Sequence, residues 1–550
     1  MSLLYKEFVD ETFGPNGEVL KFRVKKLERF NFAYDVVDRL AAEKPDKLAM
    51  VWCDEADEER FITFAELKRE SDRSASLLQS LGIGKGDAVM LILKRHYEFW
   101  FCFLGLHKIG AVAVPATNQL LEKDLVYRFD AASIKAVVCT ADGHISEFVD
   151  AAAAQCPQVQ VKVLVRGSRD GWASWEQGMA GAKPFARPAA EPKTSEMMLM
   201  YFSSGTTGMP KMVAHNYLYP LAHIPTAVYW QNVRPDGLHL TVSETGWAKS
   251  MWGKIYGQWL AESAVFVFDF DRFNAEEMLK RISKYKVTTF CAPPTIYRFL
   301  IKQDLSRFDL SSLKYAVTAG EALNAEVYSQ FLKSTGLRIM EAFGQTETTV
   351  LAGTFYWMSP KPGSMGKPSP GYDVRIVDEA GRDLPAGEVG EIVIRTGEET
   401  PAGMLIEYYR DAERTAQAWH DGFYHTGDTA WADEDGYITY VSRVDDIIKS
   451  SGYRIGPFEV ESVLMEHPAV MECAVTGIPD PDRGQVVKAT VVLAKGFSAS
   501  DGLAHELQEY VKTHTAPYKY PRVIEFVTEL PKTISGKIKR MDIRAKDLEK

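Results

Sequence analysis

The stretch MLMYFSSGTTGMPKMVAHN, Met198 to Asn216, is an apolar run that gives way to the small, polar, glycine-rich segment Ser203 to Lys211 and then turns apolar again. The first run has the length and composition of a buried strand. Gly205 and Gly208 let backbone N–H groups converge on one anion, while Ser203, Ser204, Thr206 and Thr207 add hydroxyl donors and Lys211 a positive charge. Composition alone also fits a flexible Ser/Gly linker, but linkers seldom stand between a buried strand and more apolar chain. Met209 and Pro210 precede Lys211 and Met212 follows it. The GxxxxGK[ST] template of P-loop kinases and ATPases therefore fails, since no hydroxyl stands beside the lysine to hold magnesium.

At 550 residues the chain is too long for one core, and two to four units are expected. A formal net charge of -10, from 64 Lys+Arg against 74 Asp+Glu, disfavours non-specific binding to nucleic acid or anionic membrane, so any phosphate site must be local. The six cysteines, Cys53, Cys102, Cys139, Cys156, Cys291 and Cys473, form no CxxC pair and no zinc-spaced cluster, and read as reduced, mostly buried thiols. The N-terminus mixes acids and bases where a signal peptide needs an apolar core, and no window of spanning length is wholly apolar. A cytoplasmic enzyme without integral membrane association is the expectation.

Strands alternating with helices imply α/β layers. The first series runs from FNFAYDVVDRLAAEKPDKLAMVW through DAVMLIL, YEFWFCFLGLHKIG, AVAVPA and AVVCT, and the second from AVFVFDFD to RIMEAFGQTETT. From about Gly366 short strands with turn signals predict a small β-rich subdomain. The tail after a polar join at Ser442 to Asp446 reads as a separate, mobile α+β unit. The boundaries expected are 1–443 for the large domain, 444–446 for a hinge and 447–550 for the mobile domain.

Four further segments carry possible chemistry. EAFGQTETT ends a strand at Gly344 and places Gln345, Thr346 and Glu347 at the carboxyl end of a sheet, where ligands of open α/β sheets collect; a plain turn capped by Thr346 is the alternative. Asp428, in HTGDTA, can accept from two vicinal ribose hydroxyls, and Arg443, in VSRVDD, can grip ribose or phosphate oxygens with its planar fork. Lys537, in SGKIKR, can reach a reaction centre from a mobile loop and stabilise charge developing there. Taken singly, each of these three is better read as an ordinary surface or structural charge.

The ordered set SSGTTGMPK, AGEAL, AFGQTET, HTGDTA, RVDDIIKSSGYRIGPFEVE and SGKIKR resembles the adenylate-forming superfamily of acyl-CoA synthetases, firefly-type luciferases and peptide-synthetase adenylation domains, over about residues 30 to 545. ETGWAKSMWGKIYGQW, SSGYRIGPFEVE and PDRGQVVKA look most like its medium-chain acyl-CoA synthetase branch. The resemblance implies ATP, Mg2+ and coenzyme A, a small carboxylic acid as partner, and a monomer or homodimer. It implies that Ser203 to Lys211 holds the outer phosphates of ATP, with Gly320, Glu321 and Ala322 bordering the adenine. Glu341, Ala342, Phe343, Gly344, Gln345 and Thr346 would pack on the nucleotide. Glu347 would position magnesium, Asp428 and Arg443 would hold the ribose, and Lys537 would bridge the carboxylate and the α-phosphate. For thioester formation it implies a hinge at Asp445 and CoA contacts from Gln119, Ser451, Gly452, Tyr453, Arg454, Arg483, Tyr520, Pro521 and Arg522. Phe343 stands where the family usually has tyrosine, so a phenol hydrogen bond is lost there.

Trp252, Tyr256 and Trp259 fall at i, i+4 and i+7 and share a face if the segment is one helix, so with Trp247 they either form a buried aromatic stripe or line and shorten an acyl pocket. The resemblance then implies a short, medium or branched acyl group. An adenylation enzyme that loads a carrier protein, a luciferase-like oxygenase and a catalytically silent nucleotide-binding relative are the alternatives. Lys211, Glu347, Asp428, Arg443 and Lys537, all intact, speak against the silent one.

Overall fold

A computed structural model describes residues 3–203, 209–321, 323–397, 400–451, 453–533 and 537–548. The apolar run does form a strand, Met197–Ser203, buried in its middle, and the chain returns as the antiparallel strand Lys211–Asn216 with Ser203 opposite Lys211. The two strands that flank the glycine-rich segment are therefore an antiparallel pair, whereas a Walker loop leads from a strand into a helix.

That hairpin closes one side of an eight-stranded sheet. Met197–Ser203 pairs in parallel with Val112–Pro115, followed by Ala88–Ile92, Ile134–Thr140, Val161–Val165 and Ala173–Ser174, while Glu407–Tyr408 pairs antiparallel outside Lys211–Asn216. A nine-stranded sheet runs Lys367–Pro368, Val350–Gly353, Ile339–Gly344, Tyr315–Ala319, Thr289–Cys291, Leu238–Thr241, Ala264–Asp269, Leu48–Asp54 and Glu59–Thr63. Reading strands in chain order assigns Leu48–Asp54 to the first layer; in fact it pairs in parallel with Ala264–Asp269 of the second. A strand apolar throughout, as this one is in its middle, fits inside either layer, so hydropathy does not choose between them.

The two sheets share one core, and the helix Glu98–Ile109 lies inside it with all its residues buried. Its sequence, EFWFCFLGLHKI, accordingly lacks a polar face. Its one lysine, Lys108, is paired with Asp38 at 2.7 Å and Asp72 at 2.6 Å. A five-stranded β-rich unit holds Val374–Val377, Gly390–Arg395, Trp419–His420, Phe423–Ala432 and Ile438–Arg443. Beyond a 3-10 turn, Val444–Asp446, the C-terminal unit is built on the long hairpin Val470–Asp480 with Gly484–Leu493 and the helices Pro457–Leu464 and Asp501–His514. The fold is thus the expected α/β assembly with a β-rich part and a C-terminal α+β domain. All six cysteines are buried and free, and among the described residues no helix is long and apolar enough to cross a membrane.

Candidate active site

Lys211 opens the second hairpin strand, and its ammonium lies 3.9 Å from Glu347 Oε1 and 4.9 Å from the centre of the Tyr408 ring. Burial pushes its pKa below the ordinary lysine value, with Glu347 opposing that shift. Glu347 is itself buried, and its Oε1 accepts from the Tyr408 hydroxyl at 2.9 Å. Tyr408 belongs to the strand that flanks the hairpin, so sheet pairing sets this triad. Met209 is exposed at the tip, while the Pro210 carbonyl accepts from Tyr127 at 2.9 Å. Ser204, Gly205, Thr206, Thr207 and Gly208 lie outside the described residues, as do Ala322 and Gly452.

The strand Ile339–Gly344 delivers the next group. Gln345 donates from Nε2 to Asp428 Oδ2 at 2.5 Å and to the Thr426 carbonyl at 2.8 Å, and its Oε1 accepts from Tyr424. Asp428 and Arg443 are register partners in the β-rich sheet, with Arg443 donating to Asp428 Oδ2 at 3.1 Å. Tyr440 donates to the other oxygen at 3.3 Å, and its ring lies 6.4 Å from that of Phe343. Burial raises the Asp428 carboxyl; Arg443, Gln345 and the charge of Lys537 act against it. Lys537 itself is exposed, held by a backbone bond from Thr533 N–H to its carbonyl at 2.7 Å.

On the opposite wall Lys249 donates to the Ala319 carbonyl at 2.6 Å, just before Gly320, and burial lowers its pKa. Lys537 acts on this lysine too, so its charge is felt at both walls. Glu321 is exposed and accepts from Thr295 at 3.1 Å. Glu341 is buried beside Ala342 and accepts from the Leu323 N–H at 3.2 Å; burial pushes its carboxyl up to about 8. The Thr346 carbonyl meets His215 Nε2 at 2.8 Å. Sequence reasoning missed Lys249, Tyr408, Tyr424 and Tyr440. Lys249 sits in a segment read only for its tryptophans, and the tyrosines come from strands whose pairing is long-range.

The CoA candidates do not form one cluster. Ser451, at φ +50°, donates from its N–H to the Arg483 carbonyl at 2.9 Å, placing both at the tip of the long hairpin. Tyr453 stacks on Tyr518 at 4.1 Å, and Arg454 is tied to Glu379 of the β-rich unit at 2.6 Å. Arg522 donates to the Tyr520 hydroxyl at 2.6 Å, with Pro521 buried between them. Gln119 is exposed on the eight-stranded layer, where its N–H meets Thr117 Oγ1 at 3.3 Å. Asp445 accepts at its carbonyl from Arg544, which also pairs with Asp446 at 3.0 Å.

The condition for a shared face, one helix through the tryptophans, is not met. Lys249–Gly253 and Tyr256–Leu260 are separate short helices, with Ile255 at φ −158°, ψ −73° between them, so Trp252 and Trp259 do not share a helical face. Trp252 abuts Gly344, where an added Cβ would lie 2.5 Å from its ring. Trp259 donates to the Ala49 carbonyl at 2.9 Å and stacks near Phe32 and Phe64, deep in the core. Trp247 is half-buried, its carbonyl accepting from Ser250 at 2.8 Å.

Among the described residues no group of three or more His, Cys, Asp or Glu forms a metal cage. One inward carboxylate, Glu347, is nevertheless what magnesium requires when phosphates and water supply its remaining ligands.

A family model described as AMP-binding enzyme matches residues 37–404, and one described as AMP-binding enzyme C-terminal domain matches 459–537. The chain is 42% identical, over 100% of its length and 96% of the relative's, to acyl-coenzyme A synthetase ACSM3, mitochondrial, of Mus musculus. It is 42% identical to ACSM5, mitochondrial, of Homo sapiens, over 94% of this chain and 91% of that one. Among solved structures, the anthranilate CoA ligase AuaEII in complex with anthranoyl-AMP superposes with a TM-score of 0.86 at 29% identity, covering 95% of this chain and 98% of that one. A Brucella canis acyl-CoA synthetase gives 0.72 at 32% identity, with 94% of each covered. The mitochondrial names of these relatives overturn the cytoplasmic expectation. Net charge and the lack of an apolar segment bear on membrane insertion and do not distinguish one aqueous compartment from another.

Proposed function

Because the chain belongs to the AMP-binding, adenylate-forming enzymes and is an acyl-CoA synthetase that makes CoA thioesters through an acyl-adenylate, we propose that both half-reactions run in the cleft between Lys211, Lys249, Asp428 and Lys537. The observation that carries this is convergence. Lys211 with Glu347, Gln345 with Asp428 and Arg443, and the charge of Lys537 come from distant parts of the sequence and meet at one rim.

In the first half-reaction a carboxylate oxygen of the substrate attacks the α-phosphorus of ATP, the bond to the β-phosphate oxygen breaks and pyrophosphate leaves. The carboxylate is already ionised at neutral pH, so no general base is needed. Asp428 accepts from the ribose hydroxyls, with Arg443 and Gln345 fixing its carboxylate. Lys211 faces the outer phosphates, and Lys537 stabilises charge that grows as the bond breaks, which lowers the barrier more than it tightens ground-state binding. Glu347 would hold magnesium, which when bound neutralises phosphate charge. In the second half-reaction the CoA sulfur attacks the acyl carbon, the C–O bond to AMP breaks and the thiol proton passes to solvent. The domain after residue 446 turns about Asp445 between the steps, withdrawing Lys537 and bringing Ser451 to Arg454 toward the adenylate. The acid is a short, medium or branched carboxylic acid.

Lys537→Ala tests the assignment. Pyrophosphate release should fall by roughly 10²–10³, while CoA consumption from supplied acyl-adenylate continues at near wild-type rate. Retention of the first activity would remove Lys537 from adenylation.

A further inference from the structure

Behind the reaction segment lies a group of buried polar side chains, some of whose polar atoms have no partner among the described residues. His215 donates from Nε2 to the Thr346 carbonyl at 2.8 Å, Tyr219 stacks on His215 at 4.0 Å, and His223 meets Tyr219 edge-on at 4.6 Å. From the other side Trp252, which abuts Gly344, lies 6.3 Å from His223, and Tyr256 faces it at 5.9 Å and 19°. His223 is therefore two side chains from Thr346 and one from Gly344. It is fully buried, and among the described residues neither Nδ1 nor Nε2 has a hydrogen-bond partner. Among the described residues the hydroxyl of Thr226, one turn further along the chain, is unpartnered as well.

Folded proteins seldom leave such groups unmet, because a buried donor or acceptor without a partner carries its full desolvation cost. Burial holds the His223 imidazole well below its ordinary pKa. It is neutral, with one N–H to donate and one lone pair to accept. The rings around it are those of Tyr219, Trp252 and Tyr256, none of them charged; the nearest titratable group acting on it is His215, itself buried and held low by burial. A guest here must therefore be neutral, able to donate and accept at once, and flanked by flat apolar surface. A hydroxyl satisfies this; a plain hydrocarbon chain leaves every one of these groups unmet.

Resting on the acyl-CoA synthetase reading of this cleft, we infer that His223 is a specificity-determining residue that receives a hydroxyl carried on the acyl group, so that hydroxylated acids, aryl-bearing ones above all, are preferred over plain alkanoates. The test is CoA-dependent AMP release with matched pairs: hexanoate against ω-hydroxyhexanoate, and phenylpropanoate against its para-hydroxy analogue. In the wild type kcat/KM should favour the hydroxylated member of at least one pair about tenfold or more, since a site built to hydrogen-bond a hydroxyl rejects the analogue lacking it. His223→Leu should erase or invert that ratio, and His223→Gln, which keeps a donor and an acceptor, should retain part of it. Wild-type preference for the plain acid in both pairs overturns the inference, as does a ratio unmoved by His223→Leu, which would mean that buried water meets these groups. If His223→Leu does not fold, the wild-type ratios and His223→Gln decide alone, a wild-type preference that His223→Gln reduces counting in favour, and an unchanged ratio in that variant or a lack of wild-type preference counting against. Absence of AMP release with every acid tested, octanoate and benzoate included, would instead strike at the synthetase reading itself.

Discussion

Glu341 carries its carboxyl where water cannot reach it, with one N–H, from Leu323, to offset the loss. Its pKa rises from an ordinary 4.5 to about 8 in the folded protein. Below 4.5 both folded and unfolded chains hold the proton, and this group adds no pH dependence. Between the two values the unfolded chain releases the proton and the native one keeps it, so stability falls as pH rises, and it levels off above about 8. Each unit separating the values is worth about 1.4 kcal/mol. Glu341→Gln removes this term, so its melting temperature relative to wild type should climb from pH ~5 to ~8 and then stay constant; parallel curves would deny the buried neutral acid. Asp428 is also raised by burial, but a cation, Arg443, acts against that shift. Asp428→Asn keeps its shape and loses its charge, and should raise the KM for ATP by roughly 10–100-fold with kcat little changed, as removal of uniform binding does. Arg443→Ala strands the carboxylate and should also cost about 2–3 kcal/mol of stability, less than the ~3–5 of a fully buried pair because Arg443 is partly exposed. Equal urea midpoints for the two variants would contradict that difference.

At the level of elements, local pattern was sufficient wherever one face decides the structure. Asn274 caps Ala275–Lys284 with its side chain on the N–H groups of Glu276 and Glu277, as NAEEMLKRISK foretells. Local pattern fails where packing overrules it. ETGWAKSMWGKIYGQW has helical spacing throughout, yet it breaks at Ile255 because Gly257 must lie directly against the His223 segment: an added Cβ would stand 2.3 Å from the His223 carbonyl oxygen and 2.6 Å from Ala227 Cβ. Gly257→Ala should therefore push Tyr256–Leu260 off that segment at a cost of about 1–3 kcal/mol and alter the range of acids accepted. Gly84→Ala, where nothing lies within 4 Å of the new methyl, is the control and should melt with the wild type. A Gly257→Ala protein as stable as the control, with an unchanged acid profile, would mean that the close approach is unimportant. The strand Met197–Ser203 was legible for the reason that the broken helix was not: its apolar run is local to the segment, whereas a helix break depends on a neighbour elsewhere in the sequence.

For the whole molecule, the ordered motifs supplied candidate residues but not how sheets bring them together. Tyr408 and Glu407 reach the hairpin only because their strand pairs with Lys211–Asn216, and Leu48–Asp54 crosses into the second sheet, pairings that no local pattern announces. The placement of the C-terminal unit is likewise a property of the assembled chain. The charge of Lys537 acts on Asp428 and Lys249 in this arrangement, and outside the cleft Arg454 is bound to Glu379 of the β-rich unit at 2.6 Å. Inside its own unit the Lys537 segment is anchored three residues later by Arg540, which grips both oxygens of buried Glu461 at 2.7 Å. The Arg454–Glu379 pair is exposed on both sides, so it is worth at most about 1 kcal/mol. That is still enough to bias a domain balanced between two orientations by several-fold. Glu379→Lys turns the attraction into repulsion without touching either set of reacting atoms. If the domain alternates as proposed, the variant should release pyrophosphate a few-fold more slowly while its CoA step from supplied acyl-adenylate is unchanged or faster, and added salt should shrink the difference because exposed charges are screened. Equal slowing of both half-reactions, or a ratio indifferent to salt, would show that this contact does not set the balance between orientations.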